Sequence, residues 1–126
     1  MKTIIETPLA PAPIGPYSQA VKAGKMLFIS GQIAINPTTN ELANDGIQEE
    51  TIRVMKNIAQ ILAEAGYQFS DIIKTTIFLS DMAHFSEVNA VYGSYFKENF
   101  PARETVAVLG LPKNVRVEIS ATAYKD

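Results

Sequence analysis

The chain has 126 residues, 47% of them hydrophobic, which predicts a single domain spanning residues 1–126 with a sizeable core. A formal net charge of −2, with Lys and Arg scattered along the chain, argues against nucleic-acid and membrane partners, because both recognise basic patches. Cysteine is absent and His84 is the only histidine. These counts exclude disulfides and a cysteine nucleophile, disfavour a metal site, and favour a reducing cytoplasm. Any catalysis would rely on carboxylates, arginine, tyrosine, hydroxyls and backbone groups.

The first third of the chain reads as strands around a proline-rich loop. Residues 3–5 form a short strand candidate. Four prolines within residues 8–16 exclude a helix or a central strand there. Two further strands are predicted at 17–23 and 26–33, joined by a hairpin turn at Gly24-Lys25.

Two amphipathic helices follow, each leading to a strand. Asp45 is the predicted N-cap of the first helix, with Gln48 as its capping-box partner, and Gly66 closes the helix. A strand is predicted at 72–79. The second helix begins near Asp81 and stops before Pro101. Its apolar side carries Phe85, Val88, Tyr92, Tyr95 and Phe96. The last two strands are predicted at 104–109 and 115–124.

The order of elements, three strands, helix, strand, helix and two strands, predicts an α+β fold with one sheet and both helices on one face. The final strand alternates in polarity. Its apolar side carries Val117, Ile119, Ala121 and Ala123, and its other side carries Arg116, Glu118, Ser120 and Thr122. The mixed second face favours an oligomer if Phe28 or Phe78 is exposed there.

Arg103 and Glu118 lie on what read as adjacent strands, and two interpretations of the pair stay open. Arginine offers a planar fork of donors suited to a carboxylate, and a glutamate within an apolar run is a candidate general acid or base. Together they would make a minimal site for an organic acid. The alternative is an ordinary cross-strand charge pair of small energetic value.

Five segments, in this order, resemble the RidA/YjgF family of enamine and imine deaminases. They are 14–20 (IGPYSQA), 28–33 (FISGQI), 88–92 (VNAVY), 101–103 (PAR) and 117–119 (VEI). The resemblance implies a chorismate-mutase-like fold and a homotrimer with three active sites between subunits. It also implies hydrolysis of 2-enamino and 2-imino acids, such as 2-aminoacrylate, 2-iminopropanoate and 2-iminobutanoate, to 2-keto acids and ammonia. The implied reaction needs no metal and no other cofactor.

By the same resemblance, Arg103 binds the substrate carboxylate, Glu118 positions or activates water, and Tyr17 closes the pocket. Four further residues are implied to contact the substrate or lie near it: Ser30, Gly31, Asn89 and, through its backbone, Thr105. Each also has a structural interpretation. Gly31 can mark a bulge or a close backbone approach, and Asn89 can make a purely structural hydrogen bond.

Two positions depart from the family pattern, since small residues are usual where Glu104 and Leu109 stand. Strand alternation places Glu104 opposite Arg103, but an irregular backbone would let it compete with the substrate. Relatives of this fold have also been linked to RNA cleavage, translation inhibition and chaperone activity. A trimer that binds small acids without catalysis is a further alternative.

Overall fold

The computed structural model describes every residue from Met1 to Asp126. It contains six strands and two α-helices in one domain. The strands are β1 (Lys2–Ile5), β2 (Ala20–Ala23), β3 (Met26–Gln32), β4 (Ile72–Leu79), β5 (Ala102–Ala107) and β6 (Val117–Tyr124). The helices are α1 (Ile47–Ala65) and α2 (Phe85–Gly93). The predicted order of elements is confirmed, and every predicted helix and strand is present. β4 has the predicted bounds, and the other elements have shifted ends.

All six strands form one mixed sheet in the order β1-β2-β3-β6-β4-β5. Every pair is antiparallel except β4 and β5, which are parallel because α2 carries the chain back between them. The two helices pack against each other and cover one face of the sheet. This arrangement confirms the predicted α+β class with both helices on a single face.

The core lies between the helices and the covered face. Along β6, the alternation predicted from the sequence is confirmed, since Val117, Ile119, Ala121 and Ala123 are buried. The buried side of α1 includes Val54, Met55, Ile58, Ile61 and Leu62. The other face of the sheet has no covering layer in the single chain, and we call it the open face. It exposes Ile4, Phe28 and Val106.

The predicted capping of α1 is correct at one end and wrong at the other. Gly66 adopts the left-handed conformation (φ 81°) as the C-cap, as the sequence indicated. The N-cap is Gly46 rather than Asp45, and no side chain caps the helix. The first turn instead gains Glu49 and the buried Glu50, whose negative charges favour a helix N-terminus.

The second helix is shorter than predicted. Asp81 accepts a hydrogen bond from the Ala83 N–H and so caps a 3-10 turn, Met82–His84, that precedes α2. The helix ends at Gly93. Tyr95 and Phe96 therefore lie beyond it, although they still pack against the core through Phe69.

Arg116 does not share the face of Glu118, contrary to the sequence prediction. It precedes β6, and its Nε donates to Glu50 Oε1 on α1 at 2.8 Å. Glu50 Oε2 also accepts from the backbone N–H groups of Arg116 and Val117, at 2.7 and 3.2 Å. A carboxylate that is 1% exposed thus fixes the start of the strand that carries Glu118.

Candidate functional site

Arg103 and Glu118 do not lie on adjacent strands, because β4 runs between β5 and β6. They also lie on opposite faces of the sheet. Arg103 is aligned with the buried Thr75 on β4, whereas Glu118 is aligned with Phe78, which alternates to the open face. The two form no salt bridge, so the interpretation as a cross-strand charge pair is wrong. One chain therefore carries two separate groups of candidate residues, which we name the arginine half-site and the glutamate half-site.

In the arginine half-site, α2 holds the guanidinium of Arg103. Arg103 Nη1 donates to Asn89 Oδ1 at 2.5 Å. The guanidinium carbon lies 5.7 Å from the ring centre of Phe85 and 5.2 Å from that of Tyr92. Arg103 has no other hydrogen bond and no carboxylate partner in the chain. It is thus a half-buried cation with most of its donors free, which suits it to bind an anion.

The free edge of Arg103 borders an open cleft of about 420 Å³ at the end of α2. The cleft is lined by Asn89, Tyr92, Gly93, Phe100, Pro101 and Arg103. Thr105 lies two residues after Arg103 on β5 and therefore on the same face of the strand. Its hydroxyl oxygen is buried and has no hydrogen-bond partner in the chain. The predicted residues Arg103, Asn89 and Thr105 are thus brought together.

The glutamate half-site is built around a β-bulge in β3. Ile29 is aligned with Ala121 and Gln32 with Ile119, so Ser30 and Gly31 together face the single residue Ser120. The Glu118 side chain lies against Gly31, where a Cβ would be 2.6 Å from Glu118 Oε2 and 3.1 Å from Cγ. Both structural interpretations of Gly31 from its sequence, a bulge and a close approach, are confirmed.

Burial raises the pKa of the Glu118 carboxyl above its ordinary value. Glu118 accepts no hydrogen bond and pairs with no cation in the chain, so only the loss of solvent acts on it. A carboxyl with a raised pKa can bind and release a proton nearer to neutral pH than an ordinary glutamate. Such a group is chemically suited to acid–base work.

Ser30 lies beside Gly31 in the bulge, and Tyr17 shares a cavity with Gly31. The Ser30 hydroxyl donates to the Ser18 carbonyl at 2.6 Å, so its oxygen can serve a ligand only as an acceptor. Tyr17 and Gly31 line one small cavity of about 30 Å³. Tyr17 precedes β2 rather than lying within it, and its hydroxyl accepts from the Ile14 N–H at 3.2 Å.

Gln19 is a structurally important residue that sequence reasoning passed over. It is 3% exposed. Its side-chain oxygen accepts from the Thr7 N–H, and its side-chain nitrogen donates to the carbonyls of Thr7, Ala10 and Pro11. These bonds fasten the proline-rich loop beside Tyr17. The sequence did contain a signal for this role. Gln19 follows a loop whose prolines lack N–H groups, so the loop carbonyls need side-chain donors.

The two residues that depart from the family pattern lie away from Arg103. Glu104 Oε1 pairs with Lys74 Nζ at 2.8 Å on the open face, and this lysine lowers the pKa of Glu104. Glu104 therefore does not compete for Arg103 within the chain. Leu109 is fully exposed after β5.

No group of three His, Asp or Glu side chains in the chain is arranged to hold a metal ion. Neither helix has the length and apolar character needed to cross a bilayer.

Comparison with known proteins gives consistent matches over the whole chain. The family model described as Endoribonuclease L-PSP matches residues 7–125. A RutC family protein of Pyrococcus horikoshii is 52% identical over 126 residues, covering both chains completely. The human 2-iminobutanoate/2-iminopropanoate deaminase is 45% identical over 125 residues, covering 99% of this chain and 91% of the human one. The crystal structure of Escherichia coli TdcF with bound serine matches with a TM-score of 0.94 at 40% identity, covering 98% of this chain and 99% of that one.

Proposed function

This chain belongs to the RidA/YjgF family, and from that premise we propose that it hydrolyses reactive 2-imino acids, and their 2-enamino tautomers, to 2-keto acids and ammonia. The observation that carries the proposal is Arg103, a half-buried cation whose only hydrogen-bond partner is Asn89 and which borders an open cleft. The human relative named as an imine deaminase supports the same substrate class.

The active site is proposed to form between two copies of the chain. Arg103 and Glu118 lie on opposite faces of one sheet, so a single copy cannot present both to one small substrate. A second copy that covers the open face would bring its own arginine half-site to the glutamate half-site of the first. The exposed apolar side chains of Ile4, Phe28 and Val106 on that face support such a contact. We propose a homotrimer, in keeping with the family.

Substrate binding in this scheme rests on Arg103. Two of its free N–H donors would bind the substrate carboxylate in a two-point contact, while Asn89 and the aromatic rings hold the guanidinium. A hydrogen bond to a charged group contributes about 1.5–3 kcal/mol. The Ser30 oxygen, whose proton is committed to Ser18, would accept from the iminium N–H. Tyr17 would close the pocket.

The chemical step then needs one water and one proton carrier. Glu118 in its ionised form takes a proton from water as the water oxygen bonds to C2 of the iminium. The resulting carbinolamine receives that proton on nitrogen, ammonia leaves as the carbonyl forms, and the last hydroxyl proton goes to solvent or ammonia. A placed base of this kind contributes about 10²- to 10⁴-fold in rate. The scheme uses only residues of the chain, and the absence of cysteine fits the proposed cytoplasmic location.

A coupled assay tests the proposal. A pyridoxal-phosphate-dependent dehydratase generates 2-aminoacrylate from serine or 2-aminocrotonate from threonine, and keto-acid release is followed with and without this protein. We expect faster release with the protein, unchanged after treatment with EDTA. Equal rates with and without the protein would contradict the proposal. Activity that EDTA abolishes and a divalent ion restores would contradict the scheme without a cofactor.

The ribonuclease activity in the description of the family model is the weaker candidate. The net charge of −2 gives the chain as a whole no electrostatic attraction for a phosphate backbone. A labelled single-stranded RNA incubated with the protein should remain intact.

A further inference from the structure

Tyr92 lies directly under Arg103 and is itself held by a hydrogen bond in the core. The Tyr92 hydroxyl is 2.7 Å from Thr75 Oγ1, and the two residues are 4% and 2% exposed. Thr75 is also the residue of β4 that is aligned with Arg103 on β5. The three side chains are therefore connected: Thr75 contacts Tyr92 through a hydrogen bond, and the Tyr92 ring contacts Arg103. Thr75 fixes the tyrosine whose ring supports the guanidinium on the neighbouring strand.

Two further residues on the same side of α2 complete this support. Phe85, Asn89 and Tyr92 are spaced by four and three residues, so they form one stripe along the helix. The guanidinium lies over the rings of both Phe85 and Tyr92, and Asn89 Oδ1 accepts a hydrogen bond from Nη1. The rings limit the tilt of the guanidinium, and the hydrogen bond limits its rotation. The remaining donors are free, and Arg103 lines the cleft.

We propose that Tyr92 is a positioning residue for Arg103, anchored by Thr75. The expected effect on substrate binding rests on the proposed function, because a two-point contact with a carboxylate requires a fixed guanidinium plane. The Tyr92 hydroxyl does not itself contact the substrate, since it is buried against Thr75. It acts by preventing the ring, and with it the guanidinium, from shifting.

The competing explanation is that the hydroxyl pair only satisfies two polar groups in the core. Tyr92 also stacks on Phe96, with ring centres 5.0 Å apart, so its removal affects packing in any case. Tyr92→Phe and Thr75→Val separate the explanations, because each keeps the shape of the side chain and removes only the hydrogen bond. Thr75→Ser keeps the hydroxyl and should behave as the wild type.

Tyr67→Phe is the matched control. Tyr67 is also buried, and its hydroxyl donates to the Lys25 carbonyl at 2.9 Å, beyond the end of α1. This substitution removes a buried tyrosine hydrogen bond of similar length without touching the stripe on α2. Any effect that Tyr92→Phe shares with Tyr67→Phe is a general loss of stability.

The first measurement reports on Arg103 without a substrate. The ¹H–¹⁵N resonance of its Nε–H, assigned by its disappearance in Arg103→Lys, should be shifted by the ring currents of Phe85 and Tyr92. In Tyr92→Phe and Thr75→Val we expect this resonance to move towards the position of a free arginine and to broaden. In Thr75→Ser and Tyr67→Phe it should stay in place. An unmoved resonance in both Tyr92→Phe and Thr75→Val overturns the proposal.

The second measurement links position to binding, using the keto-acid product 2-oxobutanoate in calorimetric titrations. We expect a dissociation constant about five- to tenfold higher in Tyr92→Phe, and no change beyond about twofold in Tyr67→Phe. In an Arg103→Ala background, Tyr92→Phe should add nothing, because the route through Arg103 is gone. An equal effect in that background overturns the proposal. If the wild type binds no 2-keto acid, the proposed function is contradicted, while the resonance of Arg103 still decides the role of Tyr92.

Discussion

The carboxylate of Glu118 occupies the space that a side chain at Gly31 would need. A Cβ on Gly31 would lie 2.6 Å from Glu118 Oε2 and 2.8 Å from Cδ, closer than side-chain carbons approach other atoms. Gly31 sits in the bulge of β3, and the extra residue there brings its backbone up to the glutamate. The glycine is therefore what allows a half-buried carboxylate with a raised pKa at this point of the sheet.

Gly31→Ala should displace the Glu118 carboxylate while leaving the fold intact, because the clash is with the flexible end of a side chain. We expect a loss of about 10²-fold in kcat, the lower bound for a misplaced general base. Gly110→Ala is the control, since an added Cβ there meets nothing within 4 Å. Full activity of Gly31→Ala in the coupled assay, with an unchanged melting temperature, would show that the Glu118 position is unimportant.

Arg103→Lys should be strongly impaired although it keeps the charge, because lysine lacks the planar fork that grips a carboxylate. Loss of about 1.5–3 kcal/mol corresponds to roughly a 10- to 150-fold lower kcat/KM. Arg103→Ala should be equal or worse and should keep the fold and the assembly. Arg53→Lys, on α1 and outside both half-sites, serves as the control. A folded Arg103→Ala with wild-type rate would contradict the proposed binding role.

Glu118→Gln should raise the melting temperature at about pH 7. The pKa of Glu118 is raised in the folded chain, so its ionisation removes stability as the pH rises from the ordinary glutamate value through the raised one. The glutamine cannot ionise, and its advantage should vanish below about pH 4, where glutamate is protonated in both states. Melting curves across this range test the sign.

Glu104→Gln provides the opposite comparison. Lys74 lowers the pKa of Glu104, so this carboxylate contributes stability above the ordinary glutamate pKa and loses it as the pH falls. Its substitution should leave stability unchanged or slightly reduced at neutral pH, because the pair is exposed. If Glu118→Gln lowers the melting temperature at neutral pH as Glu104→Gln does, then burial does not control the pKa of Glu118.

Mixed assemblies test whether the site spans two chains. Arg103→Ala and Glu118→Gln should each be nearly inactive alone. When the two are co-refolded in equal amounts, a site is intact only if one chain supplies Arg103 and its neighbour supplies Glu118. Random mixing makes about one half times one half, or about one quarter, of the sites intact. No recovery would contradict the shared site.

Light scattering should give about three times the chain mass.

The sequence was sufficient for the elements of the fold and for the single covered face of the sheet, but insufficient for the order of the strands. Alternation along 117–123 identified the buried face of β6, and the glycine at 66 identified the end of α1. Nothing local indicated that β4 would lie between β5 and β6, because that order depends on long-range strand pairing. Arg103 and Glu118 were therefore predicted on neighbouring strands and are found on opposite faces of the sheet.

The candidate site shows the same division. Family motifs pointed to Arg103, Glu118 and Gly31, and the geometry is compatible with each of them. The support for Arg103 by Phe85 and Tyr92 could not be read from the sequence, since aromatic residues at helical spacing are typical of a core face. Asp45 was predicted as a cap because its type and spacing fit, yet the chain uses Gly46, whose extended backbone needs no side-chain oxygen.

The separation of the two half-sites has a genetic consequence. In the proposed assembly, the contact that joins them would be heterologous, since one surface of a chain would meet a different surface of its neighbour. Closing such contacts into a ring would leave no half-site unmatched. A chain that carries both Arg103→Ala and Glu118→Gln would inactivate two sites at once, the one it shares with each of its two neighbours. In a cell that makes equal amounts of this chain and the wild type, about a quarter of the sites would remain rather than half. Such an allele should act as a partly dominant negative.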